Sequence, residues 1–200
     1  MKRHTFYSII AIILIVCSIF FSGCTATNTT QHFQEDISSY ENEFTYSISE
    51  YNFANTEDLI ACELIRVVDG DTIVIMFEGE QTKVRFIGVN TPESVTGNSD
   101  RDTQEGVSAS EFTKRLLSDS DIVYIELDKG KYDKYERLLA YVYTEDGVQI
   151  NALLLQNGLA RTMFYKPNYK YQTEFIEIQN YAKSNDIGFW GIDNGSAMYK

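Results

Sequence analysis

The chain opens on a nearly continuous apolar run from Phe6 to Phe21, with Lys2, Arg3 and His4 before it and Ser22-Gly23-Cys24 after it. Residues 24–59 are polar and sustain no period. From residue 60 the hydrophobic positions return in short blocks. Residues 61–68, 72–78 and 82–89 are rich in Val, Ile and Phe, and Asp-Gly-Asp-Thr and Glu-Gly-Glu-Gln separate them. That pattern predicts a three-strand meander. Residues 96–106 are polar and predict a loop. Residues 108–119 begin Ser-x-x-Glu and carry Phe112, Leu116 and Leu117 at helical spacing, which predicts a helix starting at Ser108. Residues 121–128 alternate as a strand, and 137–147 read as a strand and its turn. Helices are predicted over 149–160, ending at Gly158, and over 171–186.

Five strands, antiparallel in character, with three helices give an α+β class. A five-stranded Greek-key barrel of the OB type fits the count, and a β-grasp or sandwich arrangement has the same number of strands. Residues 60–200 read as one domain, with two prolines and no internal repeat.

The leading segment changes the picture of where this domain works. A basic start, an apolar run short for a bilayer span and a small-residue exit form a signal peptide over residues 1–23. Cys24 directly after Ser-Gly resembles a bacterial lipobox, with Phe21 where that motif usually has Leu, and implies lipidation at Cys24. An uncleaved N-terminal anchor is the alternative. Either way the domain is expected outside the cytoplasm, at a membrane. Residues 24–59 contain seven acids and no Lys or Arg, so they read as a solvated tether. Cys17 leaves with the apolar run and Cys24 carries the lipid, so Cys62 is alone and predicted to be a small core residue.

The net charge is -12. Without Lys2 and Arg3, 29 acidic residues face 15 basic ones, a balance of -14. Such a chain lacks a general basic field for nucleic acid, so any phosphate binding must come from a few placed cations or a bound metal. Both histidines, His4 and His32, lie outside the folded part, which excludes a Ser-His-Asp triad and makes a zinc site unexpected there. Carboxylate, amide, carbonyl and guanidinium chemistry remains, and oxygen ligands suit Ca²⁺ or Mg²⁺. Asp69 and Asp71 stand at a strand junction, where an Asp-Gly turn is the simpler reading. Asn90-Thr91-Pro92-Glu93 ends a strand, where an Asx-Pro turn is the simpler reading. Arg85 lies inside an alternating strand.

The stretch "VVDGDTIVIMFEGEQTKVRFIGVNTPES" resembles the micrococcal (staphylococcal) nuclease family. The resemblance continues in order through "ASEFTKRLL", "DKGKYDKYERLLAYVY", "INALLLQNGLA", "FYKPN" and "GFW", over about residues 60–192. It implies an OB-fold enzyme that uses Ca²⁺ to hydrolyse DNA and RNA without sugar preference, leaving 3′-phosphate ends. It further implies that Asp71 and Asn90 ligate the cation, that Thr91 offers its carbonyl, and that Asp69 supports the site from close by. Glu93 would orient or deprotonate the attacking water, and Arg85 and Arg137 would grip the scissile phosphate. Lys134, Tyr135 and Tyr165 would surround the nucleotide. The domain is expected to act as a monomer.

Three positions depart from the family pattern. Asn90 replaces an Asp, Glu136 stands where Gly is frequent, and Met163 replaces a Tyr near the nucleotide. Two other readings stay open at this point. One is a catalytically weak or non-catalytic OB module that binds nucleic acid or a partner, and the other is a surface lipoprotein that binds Ca²⁺ or an envelope component structurally.

Overall fold

The computed structural model describes residues 59–93, 104–192 and 195. The signal segment, Cys17, Cys24, the tether as far as residue 58 and the 96–103 part of the polar loop lie outside the described residues. Strand β1 (Ile60–Asp69) pairs antiparallel with β2 (Thr72–Phe77), and β2 with β3 (Glu80–Phe86), which is the predicted meander. Glu78 and Gly79 form the β2–β3 turn, both at positive φ, a geometry whose twist matches the flanking strands. The predicted third strand, 82–89, is two strands. β3 ends at Phe86, and β4 (Gly88–Asn90) leaves the barrel to pair with β7 (Arg161–Met163), which is too short to show alternation.

The barrel closes in the order β1-β2-β3-β6-β5. β5 (Ile122–Glu126) is antiparallel to β1 and β6. β6 (Leu138–Tyr143) runs parallel to β3, with Val84 opposite Leu138 and Arg85 opposite Leu139. Ile73, Ile75, Val84, Phe86, Val123, Ile125, Leu138 and Val142 fill the core, each contributing roughly 1.5–3 kcal/mol by leaving water. Cys62 is a free thiol buried in the same core, as its alternation implied. Leu59, read as the last tether residue, packs against that core and belongs to the fold.

Helix α1 (Gln104–Leu116) begins four residues before Ser108, so the Ser-x-x-Glu pattern is not its start. Its first turn, Gln104-Glu105-Gly106, has no apolar residue for periodicity to register. Glu105 there suits the positive end of the helix dipole. Helix α2 (Ile150–Gln156) is buried on almost every side, and α3 (Gln172–Ser184) packs against it. Buried Asn151 ties three elements together. Its Oδ1 accepts the Val142 N–H at 2.9 Å, and its Nδ2 donates to the Ile87 carbonyl at 2.8 Å. A short 3₁₀ turn, Gly188–Gly191, brings Phe189 and Trp190 against Ala182 in a second small cluster.

A buried carboxylate anchors a polar network at the end of β5. The Glu126 carboxylate is 2% exposed. Its Oε2 accepts the hydroxyls of Tyr143 at 2.6 Å and Tyr171 at 2.8 Å, and its Oε1 meets the Lys170 ammonium. Gln149 Nε2 donates to the Tyr143 hydroxyl oxygen at 2.8 Å. Burial first, and then the bond to Glu126, push the Tyr143 phenol far above its ordinary range.

Candidate active site

The β1–β2 turn places the first acids. β1 has a register shift between Val67 and Asp69, and this extra residue breaks the strict alternation along the strand. Asp69 is half-buried and its Oδ1 accepts the Gly70 N–H at 2.8 Å. Asp71 is 5% exposed. Asp-Gly-Asp is therefore a turn, as the simpler reading held, but its glycine answers to packing. A Cβ at Gly70 would meet Thr91 Cγ2 at 2.8 Å and Ala109 Cβ at 2.9 Å. Helix α1 thus seats directly on the turn, and Thr113 Oγ1 donates to the Gly70 carbonyl at 2.7 Å.

Asp71 draws the second polar cluster onto the first. Its Oδ2 accepts the Thr91 N–H at 2.9 Å and pairs with Arg85 Nη2 at 3.0 Å, while Thr72 Oγ1 donates to its Oδ1 at 3.0 Å. Arg85 Nη2 also donates to Asn90 Oδ1 at 2.9 Å. Its Nη1 donates to the carbonyls of Phe86 at 3.0 Å and Val89 at 2.9 Å. A planar fork is suited to four such acceptors, and an ammonium is not. Asn90 Nδ2 donates to the Thr91 carbonyl at 3.3 Å, and the buried Thr91 Oγ1 has no hydrogen-bond partner.

The barrel register brings in the second arginine. Arg85 lies opposite Leu139 on the parallel strand, and Arg137 is two residues before Leu139, which puts the two arginines on one side of the sheet. Asp133, a residue the sequence reading passed over, positions Arg137. Its Oδ2 accepts Arg137 Nε and Nη2, each at 2.7 Å, and its Oδ1 accepts the backbone N–H groups of Tyr135 and Arg137 at 2.8 and 3.0 Å. Burial alone would raise the Asp133 pKa, but these bonds outweigh it and hold the carboxyl below its usual range. Glu136, between Tyr135 and Arg137, has φ of 62°, the left-handed conformation that explains a preference for Gly there.

Glu93 stands at the mouth of the same cleft. Loss of hydration, then the charges of Asp69 and Asp71, raise its pKa; Arg85 and Arg137 pull the other way without cancelling the rise. The cleft encloses about 550 Å³. Asp69, Asp71, Arg85, Asn90, Glu93, Lys134, Tyr135, Arg137 and Tyr165 line it. Thr91 does not line it and joins the group through its bonds to Asp71 and Asn90. Tyr135 and Tyr165 are exposed rings, with Lys134 Nζ 4.9 Å and Arg137 Cζ 5.5 Å from the Tyr135 centroid. Tyr165 Oη donates to Met163 Sδ at 3.0 Å. Asn168 was also missed. It ties a cleft-lining loop to Gly130, accepting the Gly130 N–H at 2.7 Å and donating to the Gly130 carbonyl at 2.9 Å. Cys24 lies outside the described residues.

The donor set at the acid end is all oxygen. Asp71 Oδ2 and Asn90 Oδ1 converge on one cationic nitrogen, Arg85 Nη2. Among the described residues no three His, Cys, Asp or Glu side chains cluster closely enough to hold a metal. A cation here would therefore draw on Asp71, the Asn90 amide oxygen, the Thr91 carbonyl and water, a set that fits a hard divalent ion.

Comparison with known proteins identifies the family. Residues 83–191 match the family described as "Staphylococcal nuclease homologue". The chain is similar to "Thermonuclease" of Staphylococcus hyicus, with 43% identity over 128 residues that cover 64% of this chain and 74% of that one. It is similar to "Endonuclease YncB" of Bacillus subtilis (strain 168), with 36% identity over 194 residues, 91% of this chain and 90% of that one. "Thermonuclease" of Staphylococcus intermedius is 42% identical over 125 residues, 62% of this chain and 73% of that one. The closed mixed barrel, the helices packed on it and these matches place the chain in one group: it belongs to the staphylococcal nuclease family.

Proposed function

We propose that this phosphodiester-hydrolysing nuclease is a Ca²⁺-dependent endonuclease that cleaves DNA and RNA alike and leaves 3′-phosphate ends. The observation that carries the reading is the convergence of Asp71, Arg85, Asn90, Glu93 and Arg137 on one cleft in an otherwise acidic protein. Bound Ca²⁺ would supply positive charge against the scissile phosphate. Asp71, Asn90 and the Thr91 carbonyl would hold it, with Asp69 supporting. Glu93, whose raised pKa brings it nearer neutrality, takes the proton of the attacking water and is competent once deprotonated. Arg137, presented by Asp133, grips the phosphate. Arg85 has both Nη atoms engaged within the protein, so it exchanges a protein acceptor for a phosphate oxygen when substrate binds. Lys134, Tyr135 and Tyr165 hold the nucleotide. We also propose that residues 1–23 are removed, that Cys24 is lipidated, and that the monomeric domain works outside the cell on its tether.

The test is cleavage of DNA and RNA by the full-length chain in Ca²⁺ and in EGTA, with end-group analysis. Cleavage in Ca²⁺ that disappears in EGTA, in Glu93→Ala and in Arg137→Ala is expected. Equal cleavage in EGTA would refute the metal dependence, and binding without cleavage would refute catalysis. Labelling with a radioactive fatty acid that persists in Cys24→Ala would refute the lipid anchor.

A further inference from the structure

Tyr132 has no part in the site described above, yet it lines the same cleft and is 50% exposed. Its backbone is bridged to Leu138 at the start of β6. The residues on either side are pinned as well. The Leu139 N–H donates to the Lys131 carbonyl at 2.8 Å, and the Asp133 N–H donates to the Arg137 carbonyl at 3.0 Å. Lys131 Nζ lies 5.4 Å from the Tyr132 ring centroid and is tied to Glu78 at 3.0 Å. A large ring is thus held at the surface by a braced backbone rather than by burial. The Tyr165 side of the cleft, by contrast, has a thioether, Met163, bonded to its one phenol.

We infer that Tyr132 is a base-stacking residue of the substrate cleft: a nucleobase of the bound strand lies on its ring while Arg137 grips a neighbouring phosphate. This rests on reading the cleft as a nucleic-acid site. Tyr132 is joined directly to Asp133, the residue that holds Arg137, so ring and guanidinium are positioned by one braced segment. Every base has a π face, so a ring so placed adds affinity for an unpaired strand without selecting sequence. Its order before binding limits the entropy lost on stacking.

The experiment measures binding of the full-length chain to a labelled single-stranded DNA oligonucleotide by fluorescence anisotropy in EGTA, with an abasic nucleotide moved along the strand. Tyr132→Ala is expected to bind about five- to tenfold more weakly, and Tyr132→Phe within about twofold of wild type. At one position the abasic nucleotide weakens wild type and Tyr132→Phe but leaves Tyr132→Ala unchanged, the coupling expected of two groups in contact. Melting temperatures of the three proteins should agree. Tyr132→Ala binding as wild type does, Tyr132→Phe as weak as Tyr132→Ala, or an abasic penalty identical in all three at every position overturns the inference. Cleavage of the same oligonucleotide by wild type in Ca²⁺ tests the underlying reading separately. Cleavage with an inert Tyr132→Ala removes Tyr132 alone, whereas neither binding nor cleavage by wild type removes the reading and this inference with it.

Discussion

Two buried carboxylates sit at different places in this barrel, and their surroundings differ in kind. Asp71 is held by a guanidinium, a backbone N–H and a hydroxyl, and it lines a cleft. Glu126 is held by two phenols and an ammonium, and it is not among the residues that line that cleft. Both are satisfied, and both carry a charge into low dielectric. What separates them is access: a ligand entering the cleft can compete for Asp71, while the partners of Glu126 belong wholly to the protein. A buried acid is thus a sign of function only where its partners can be exchanged.

Substitution at each acid sharpens that contrast. On the proposed metal-dependent reading, Asp71→Asn should lower kcat/KM by about a thousandfold, since the charge that would attract the cation is gone. Its melting temperature should fall as well: the amide can still accept from Thr91 and Arg85, but the partly buried guanidinium loses its counter-charge. Glu126→Gln should remove about 3 kcal/mol of stability too, but leave the activity of the folded fraction intact. Denaturant unfolding and kinetics on the same preparations decide, and a Glu126→Gln enzyme of normal stability and poor kcat would break the comparison.

The Glu126 network also sets an alkaline limit. Tyr143 has its folded pKa raised, so its contribution is complete below the ordinary phenol pKa, about 10, and is lost as the pH rises beyond that. Melting temperature should fall above about pH 10 in wild type and fall less steeply in Tyr143→Phe. Smaller again is Asn90→Asp. One more negative oxygen beside Asp71 should tighten Ca²⁺ by about tenfold by titration calorimetry, and an unchanged affinity would show that Asn90 is not a ligand. The smallest effect belongs to Glu136→Gly. It relieves a left-handed conformation that costs roughly 1–2 kcal/mol but loosens the unfolded chain, for a net gain of about 0.5–1 kcal/mol.

Much of this was legible in the sequence where local pattern and tertiary need coincide. The β2–β3 turn, the buried Cys62 and the alternation through Val84 and Phe86 all follow from period and turn chemistry. The meeting of Asp71 with Asn90 was implied by the family resemblance and not by spacing, because the two lie 19 residues apart on different elements and meet only through Arg85. The start of α1 was misread since its first turn is polar. Asn151 and Asn168 escaped notice because each is an ordinary polar residue until its distant partner is known, and Asp133 because its partners, two and four residues on, lie outside any helix whose period would mark the pair. Asn168 meets Gly130 across 38 residues and Asn151 meets Ile87 across 64. Glu136 was visible as an oddity, and its φ supplies the reason.

The parallel seam between β3 and β6 gives the enzyme a built-in order of events. Every earlier barrel pairing is antiparallel, and β1, β2 and β3 are joined by tight turns. Arg85 and Arg137 come alongside one another only when β6, the last barrel strand in the chain, docks against β3. Pairing across that many residues is slow compared with a hairpin. A chain whose barrel is still open therefore carries its acids and Arg85 without Arg137 alongside, and the cleft is complete only when the barrel shuts.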